Sequence, residues 1–285
     1  MSADARVLAP FARRRAAVSA NVATGGYRIF SALDGSGPEP EPGQFYMLAT
    51  ERWGSSSGRP YLPRAFSVAD AEAVEGGVRL DFLVEAVGPG TELLAALAEG
   101  EGVLLTGPLG RPFSGPAELA PGASGAVLVG GGIGIAPLAL LRRRLASAGV
   151  PQRVLLGFRD REHSGAVEEL VRCEEVRLAT EDGHAGHRGY VTDLLAVLLA
   201  GDDAQTAAVY ACGPPAMLEA VRALCAQREV AAELAMEAPM ACGFGSCFGC
   251  AIPLASGGYM RLCVDGPVVR ADEISTALVE GSGHR

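Results

Sequence analysis

Four cysteines constrain the fold of this chain more than any other feature. Cys242, Cys247, Cys250 and Cys263 form the pattern C-x4-C-x2-C, followed after twelve residues by the fourth cysteine. Four thiolates at such spacing can hold two bridged irons, and C-x4-C-x2-C is the spacing of plant-type [2Fe–2S] sites. Glycines between the cysteines permit the positive φ angles that turn sulfurs inward. The pattern predicts a [2Fe–2S] cluster and a protein that carries single electrons.

Other readings of the cysteines remain open from the residues alone. Structural zinc usually has two C-x2-C-like pairs, and the chain has one. Disulfides fit poorly with seven cysteines and no secretory signal. Unreactive buried thiols are the plain alternative, and we expect Cys173 and Cys225 to be of that kind. The fourth cluster cysteine follows sooner than in plant-type ferredoxins, which indicates a compact module instead of a whole ferredoxin domain.

Composition and charge exclude several classes of function. The 285 residues suffice for two domains and a small module, and 49% of them are hydrophobic. A formal net charge of −9 argues against nucleic acid as a partner. The most apolar stretch, 126–141, is short and interrupted by Gly and Pro, so we expect no membrane span. With no signal peptide recognised, we expect a soluble, cytoplasmic protein.

The pattern of apolar residues changes along the chain. Up to about residue 116, short apolar runs are separated by Gly and Pro, and 78–87 partly alternates as a barrel strand does. From residue 125, apolar runs typical of buried parallel strands alternate with helix-like segments. We predict an antiparallel β-barrel at 1–118, a doubly wound parallel α/β domain at 119–233 and the cluster module at 234–285.

A candidate flavin motif lies in the predicted barrel. Arg64-Ala65-Phe66-Ser67 opens a predicted strand; the Arg can clamp a pyrophosphate, the aromatic ring can face an isoalloxazine, and the hydroxyl can bind a ring nitrogen. Gly90 and Thr91 begin a predicted helix at 91–98, where backbone amides attract phosphate. Each piece alone is weak, since a surface Arg beside a strand is common. Together they predict bound FAD.

A candidate pyridine nucleotide motif lies in the predicted α/β domain. Gly130, Gly132 and Gly134 join a predicted strand to a helix and let the backbone approach a pyrophosphate, although the spacing departs from G-x-G-x-x-G. Cys212 and Gly213 follow a second buried strand. A Gly-rich turn without a ligand and a small buried Cys are the plain alternatives.

The choice between NAD and NADP is left open by the sequence. Arg159 and Arg161 follow a strand where a 2′-phosphate could bind, but Asp160 has the opposite charge. His184 and His187 form an H-x2-H pair for which no third ligand is evident, so we expect no metal there. No Ser–His–Asp set stands out.

The order of the three motifs indicates an electron pathway. A nicotinamide exchanges two electrons as hydride, a [2Fe–2S] cluster exchanges one, and a flavin can do both. The predicted modules use nearly all of the chain, so we expect an organic substrate to react on another subunit, or a separate carrier to take the electrons.

The motif order resembles the ferredoxin–NADP reductase superfamily. Within it, the chain is similar to the electron transfer subunits of NAD-dependent dihydroorotate dehydrogenase B, most closely from Glu237 to Cys263-x-Asp265-Gly266-Pro267. The resemblance implies FAD, NAD and a [2Fe–2S] cluster as cofactors. The implied FAD contacts are Arg64, Ala65, Phe66, Ser67, Leu83, Val84, Glu85, Gly90 and Thr91; the nucleotide contacts are Gly130, Gly132, Gly134, Cys212 and Gly213; the cluster ligands are Cys242, Cys247, Cys250 and Cys263.

One departure from the family pattern concerns the FAD contacts. The family often has Tyr-Arg where this chain has Val84-Glu85. Because a carboxylate cannot clamp phosphate as a guanidinium does, the contact expected there is through the backbone only.

The resemblance also implies a partner. In that family an FMN-containing catalytic subunit oxidises dihydroorotate to orotate in pyrimidine biosynthesis, and electrons pass through the cluster and FAD to NAD+ in a heterotetramer. The alternatives are the flavin and iron–sulfur subunit of a sulfide dehydrogenase, ferredoxin:NADP reductase, hydrogenase or sulfite reductase, and a redox sensor without turnover. A stand-alone oxygenase reductase would usually carry a complete ferredoxin domain.

Overall fold

A closed antiparallel barrel forms the amino-terminal part of the protein. The computed structural model describes residues 13–53, 60–165, 170–171, 176–201 and 207–279. The barrel order is β1-β2-β5-β4-β3-β6. Its strands are β1 (Arg14–Thr24), β2 (Tyr27–Asp34), β3 (Phe45–Thr50), β4 (Arg64–Val74), β5 (Gly77–Val84) and β6 (Gly102–Leu109), and helix α1 (Pro89–Ala95) connects the last two. The predicted barrel is confirmed.

Alternating side chains fill the barrel interior. Every second residue of most of β5 is buried, since successive side chains of a strand point to opposite faces. A buried ion pair joins two neighbouring strands: Arg14 Nη2 lies 2.7 Å from Asp34 Oδ2 and donates a hydrogen bond to the Gly107 carbonyl. Because both charges find partners, the interior accommodates them beside its aromatic core.

A seven-stranded sheet follows, in the order β10-β9-β8-β7-β11-β12-β15. All neighbouring strands are parallel except β12 and β15. The strands are β7 (Gly125–Gly131), β8 (Gln152–Phe158), β9 (Val176–Thr180), β10 (His187–Arg188), β11 (Ala207–Cys212), β12 (Ala232–Ala235) and β15 (Val268–Arg270). The helices are α2 (Pro116–Leu119), α3 (Ile135–Ser147), α4 (Arg161–Ser164), α5 (Val191–Leu199) and α6 (Pro215–Gln227).

The topology of this sheet determines where a ligand can bind. The chain runs outward from β7 through β8 to β10, then returns to β11 on the other side of β7. The carboxyl ends of β7 and β11 therefore flank the switch point, where open α/β sheets bind ligands. Helix α3 begins there and packs between the sheet and the barrel, with Arg143 Nη2 2.6 Å from Asp70 Oδ1 on β4.

The carboxyl-terminal module is small and is joined to both domains. It contains β13 (Ala251–Pro253), β14 (Tyr259–Arg261) and helix α7 (Leu262–Asp265) before β15 returns to the large sheet. The Met236 N–H donates to the Pro267 carbonyl, so the module begins and ends at the same edge of the sheet. The boundaries 1–118, 119–233 and 234–285 remain a proposal, and β12 lies across the second of them.

The structure also tests the predictions for one helix, two cysteines and membrane spans. The predicted helix at 91–98 begins and ends earlier, at Pro89–Ala95, with Gly88 as its N-cap and Ala96 as its C-cap. Cys225 is buried as expected, whereas Cys173 lies outside the described residues. Among the described ranges, no helix is both long and apolar enough to cross a membrane.

Candidate functional site

The sequence motifs meet in one cleft between the barrel, the parallel sheet and the carboxyl-terminal module. Its volume is ≈ 350 Å³. The barrel contributes Phe45, Arg64, Ala65, Phe66, Ser67, Leu83, Glu85 and Thr91; the α/β domain contributes Ile133, Gly134, Ala136, Pro137 and Cys212; the module contributes Met236, Glu237, Ala238, Pro239, Met240 and Pro267. Predicted flavin and nucleotide residues thus share one space.

The Arg-x-Phe-Ser segment lies at the start of β4, where it pairs with β3. Residues 64 and 66 share one face of the strand, but Arg64 at its first position is exposed, whereas the Phe66 side chain lies in the barrel core and is 9% exposed. Ser67 stands opposite Phe45 and is partly accessible. Arg64 and Ser67 are therefore available to a ligand, whereas the Phe66 ring lies mainly in the core and reaches the cleft only at its edge.

Thr91 and Gly90 shape the turn into α1. The Thr91 hydroxyl accepts hydrogen bonds from the backbone N–H groups of Val87 and Gly88, at 2.9 and 3.1 Å. Gly90 is buried against Trp53, and a Cβ built on it would lie 2.9 Å from the indole ring. The Thr91 hydroxyl thus holds the turn, and Gly90 permits a close approach that any other residue would prevent.

The departure at Val84-Glu85 has a structural role. Val84 is fully buried and Leu83 is 2% exposed, so Glu85 supplies the accessible side chain of the three. Its carboxylate lies 3.4 Å from His163 Nε2 and 3.6 Å from Arg159 Nη2 in the α/β domain. The Glu85 carboxylate therefore joins the barrel to the α/β domain.

The Gly-rich segment and the Cys-Gly segment touch at the switch point. Gly130 pairs with Cys212 across β7 and β11. A Cβ on Gly134 would collide with the Cys212 carbonyl and would lie 2.6 Å from the Gly213 Cα. Gly132 has a φ of 52°, which favours glycine. The two predicted nucleotide motifs thus form one surface, although Gly130 itself packs against core side chains.

Cys212 faces the cleft as a neutral thiol. Burial raises its pKa well above the usual range, and the nearby Glu237 carboxylate raises it further. A thiol of raised pKa is a poor nucleophile and a poor metal ligand. The side chain therefore suits contact with a planar ligand rather than covalent chemistry.

Polar side chains to which the sequence assigns no function connect the loop after β8 with the loop after β9. Asp160 Oδ1 accepts from the His163 backbone N–H and lies 2.7 Å from its Nδ1. Asp182 lies 2.9 Å from His184 Nδ1, whose Nε2 is 3.1 Å from Ser164 Oγ. The Ser164 hydroxyl donates to the Arg161 carbonyl, so this Ser–His–Asp row connects loops and does not present an activated nucleophile.

The four predicted cluster cysteines form two pairs. Cys250 and Cys263 are buried, with their sulfurs 3.2 Å apart. The Cys242 and Cys247 side chains are hydrogen-bonded to each other, and Cys247 is exposed. In the described part of the chain, no three His, Cys, Asp or Glu side chains converge on one metal position. Two thiolate pairs suit a cluster of two irons, each held by one pair.

Backbone amides point at these sulfurs. The Gly245 N–H donates to Cys263 Sγ at 3.1 Å, and the Gly249 N–H donates to Cys247 Sγ at 3.5 Å. Burial raises the pKa of Cys242, but the hydrogen bond with the Cys247 side chain and several backbone hydrogen bonds together outweigh burial and bring that pKa to about 6. The backbone groups donating these bonds are those of Cys247, Phe244 and Ser246. The pKa of Cys263 is raised instead, to about 12, because burial and the neighbouring Cys250 outweigh its amide hydrogen bond. Amides at sulfur favour the thiolate, the form that binds iron, so the four-cysteine donor set fits a [2Fe–2S] cluster.

The cysteine loop is adjacent to the cleft. Gly243 has a φ of 80° and packs against Met47 and Leu109 of the barrel. Met240 lines the cleft, and Cys242 follows two residues later. Consecutive Cα atoms are 3.8 Å apart, so the Cα atoms of these two residues lie within about 7.6 Å of each other.

The outer side of the cysteine loop is exposed. Phe244 and Phe248 are 48% and 62% exposed, beside the exposed Cys247. The Arg261 guanidinium lies 5.2 Å from the centre of the Phe248 ring. Here the module presents aromatic surface and a thiol to solvent.

Comparisons with known proteins agree with this arrangement. Residues 237–275 match a family described as the iron-sulfur cluster binding domain of dihydroorotate dehydrogenase B, and residues 128–223 match the oxidoreductase NAD-binding domain. The dihydroorotate dehydrogenase B (NAD(+)) electron transfer subunit of Bacillus caldolyticus is 37% identical over 236 residues, which are 82% of this chain and 86% of that protein. This chain belongs to that family. The subunit of the same name from Caldanaerobacter subterraneus is 33% identical, over 84% of this chain and 88% of that protein.

Solved structures share the fold over most of their length. The structure described as an NADH-dependent reduced ferredoxin-NADP oxidoreductase, from a study of flavin-based electron bifurcation, has a TM-score of 0.75 and 25% identity, covering 92% of this chain and 90% of its own. Phthalate dioxygenase reductase has a TM-score of 0.60 and 18% identity, covering 93% and 96%. The second likeness concerns the fold alone.

Membership of the dihydroorotate dehydrogenase B family confirms the predicted family, the predicted three-part architecture and the class of NAD-linked electron transfer oxidoreductase. The predicted cofactor set agrees with both family models and with the reductase fold. The individual residue assignments stay predictions. Sequence reasoning missed Trp53, whose only signal is that it is the one tryptophan in the chain.

Proposed function

We propose that this protein carries electrons between a catalytic dihydroorotate dehydrogenase subunit and NAD+. One observation carries the proposal: a single cleft gathers the flavin and nucleotide motifs, and its wall leads within two residues to the first cluster cysteine. The name of the family supports dihydroorotate as the compound that the partner oxidises, and the proposed product is orotate.

Each cofactor would be held by residues already described. Arg64 and Ser67 would bind FAD at the barrel side of the cleft, which Ala65, Phe66, Leu83, Glu85 and Thr91 also line. The other two predicted FAD residues, Val84 and Gly90, are buried and would support this surface. Gly130, Gly132, Gly134, Cys212 and Gly213 would hold the nicotinamide nucleotide at the switch point. The two cysteine pairs would hold the cluster.

The residues around these positions would support electron transfer in three ways: they would limit water, keep the cluster close and stabilise its charge. Bound flavin supplies the exchange between hydride and single electrons. Cys212 and Phe45 give the cleft buried, uncharged surface, against which bound cofactors would keep water from the site of hydride exchange. The short connection from Met240 to Cys242 keeps the cluster near the flavin, and the amides at the cysteine sulfurs favour a negatively charged cluster.

The catalytic partner would bind at the exposed side of the cysteine loop. Phe244, Phe248 and Arg261 are residue types that protein interfaces favour. An FMN-containing partner placed there would be nearer to the cluster than to the cleft, which matches the order FMN, cluster, FAD, NAD+. The heterotetramer, the cytoplasmic location and a role in pyrimidine biosynthesis are parts of the same proposal.

Reconstitution of the complex tests the proposal. We expect the chain, co-purified with an FMN-containing dihydroorotate dehydrogenase subunit, to form NADH and orotate in equal amounts from dihydroorotate and NAD+. The isolated chain should reduce dyes with NADH but leave dihydroorotate unchanged, since the cofactors would occupy the cleft that its flavin and nucleotide motifs line. Oxidation of dihydroorotate by the isolated chain would contradict this division of labour.

A second candidate is favoured by the 25% identity to the ferredoxin-NADP oxidoreductase structure. In that case the chain would exchange electrons between ferredoxin and NADP(H) within a different assembly. Adding reduced ferredoxin with NADP+ to the same preparation separates the candidates, because only the second predicts NADPH formation that exceeds the dihydroorotate-dependent rate. Absence of both bound FAD and dye reduction would favour a redox sensor without turnover.

A further inference from the structure

Trp53 lies between the two predicted flavin-binding motifs of the barrel. It follows β3, and its backbone N–H donates to the Thr50 carbonyl at 3.1 Å. The indole is partly buried, packs on the barrel core, and belongs to the single tryptophan of the chain. Neither family model that matches the chain includes it.

The indole contacts both motifs at once. The Arg64 guanidinium carbon lies 5.9 Å from the ring centre, within the range of a cation–π interaction. A Cβ on Gly90 would lie 2.9 Å from one ring carbon and 3.2 Å from the next, and 3.5 Å from Arg64 Nε. Arg64, Trp53 and Gly90 are therefore packed together, and the ring sets the distance between the guanidinium and helix α1.

A shared hydrogen-bond acceptor fixes the pair further. The Trp53 Nε1–H donates to the Leu62 carbonyl at 3.1 Å, and Arg64 Nη1 donates to the same oxygen at 2.8 Å. Of the five N–H groups of a guanidinium, this leaves others directed away from Leu62. Arg64 is exposed and lines the cleft, so its remaining donors are accessible to an anionic ligand.

We propose that Trp53 is a positioning residue of the flavin site. Its indole face and the Leu62 carbonyl hold the Arg64 guanidinium in place before FAD binds, so less side-chain entropy is lost on clamping the pyrophosphate. The inference rests on the proposed function, because it assumes that the cleft binds FAD. It also explains why Gly90 cannot carry a side chain while Trp53 is present.

The test is an FAD titration of the full-length chain after removal of flavin, with the dissociation constant read from flavin emission anisotropy. We expect Trp53→Ala to raise the dissociation constant roughly three- to tenfold, and Trp53→Phe to raise it less, since a phenyl ring keeps a weaker cation–π face. Tyr259→Ala removes an aromatic ring that is 76% exposed in the cluster module, and should leave the constant unchanged. Circular dichroism checks that each variant is folded. If Trp53→Ala does not fold, the comparison rests on Trp53→Phe.

A double-mutant cycle separates positioning from other roles. If the indole acts through Arg64, then Trp53→Ala or Trp53→Phe should add little to the effect of Arg64→Ala. Effects that multiply fully in the double variant would overturn the inference, as would a dissociation constant within twofold of wild type in both Trp53 variants. A wild-type chain that binds no FAD at all would instead overturn the proposed function.

Discussion

Replacing Cys247 with Ser is expected to abolish electron exchange with the catalytic partner while NADH-driven dye reduction stays within about twofold of wild type. Cys247 lies on the exposed side of its loop and does not line the cleft, so its loss leaves the flavin and nucleotide residues untouched. The cluster loses one of its four thiolates. We expect the coupled rate to fall by more than about 100-fold, since even partners of metal ligands cost 10–100-fold when they are removed.

The measurement is the rate of NADH formation from dihydroorotate by the complex, set beside ferricyanide reduction by the isolated chain and the iron content of both. Cys225→Ala is the control, because Cys225 is a buried thiol of α6 that is not one of the four predicted cluster ligands. It should keep its iron and its coupled rate. If Cys247→Ser lost dye reduction and coupled activity equally while it retained FAD, the cluster would not lie between the flavin and the partner, and the account would be contradicted.

The second large effect is expected from Gly134→Ala. The added methyl would collide with the Cys212 carbonyl and approach the Gly213 Cα, so the Gly-rich segment and the Cys-Gly segment must move apart. Because displacements of about 1 Å can cost 100-fold in rate, we expect kcat/KM for NADH to fall roughly 10- to 100-fold. FAD content should be unchanged, since the flavin residues belong to the barrel.

Gly115→Ala provides the matched comparison for Gly134→Ala. Gly115 has a φ of −67°, and a Cβ there meets nothing within 4 Å, so the same methyl adds no collision. Steady-state kinetics with NADH and a dye acceptor should show wild-type behaviour for it. A Gly134→Ala enzyme with wild-type kcat/KM for NADH would mean that the switch point does not bind the nucleotide.

Much of the architecture could be predicted because it depends on local sequence patterns, such as apolar runs and cysteine spacing. The parallel strand β11 lies where its continuous apolar run indicates, at Ala207–Cys212. The cysteine spacing identifies the module because a cluster fixes the number and type of its ligands.

Other features depend on contacts between segments that are distant in sequence. Nothing local indicates that β15 returns to pair with β12, which makes the cluster module an extension of the large sheet. Glu85 reads as a lost phosphate contact, and only the tertiary structure shows its carboxylate beside His163 and Arg159. Trp53 was missed for the same reason, since its contact with Gly90 spans 37 residues.

Electron paramagnetic resonance of the anaerobic chain tests most directly the claim that the flavin stands between nucleotide and cluster. The account predicts that NADH produces the signal of a reduced [2Fe–2S] cluster, up to about one unpaired electron per chain, when FAD is bound. Without FAD the signal should be absent with NADH and present with dithionite. A cluster reduced by NADH without flavin, or a chain that holds zinc and gives no signal with dithionite, would contradict it.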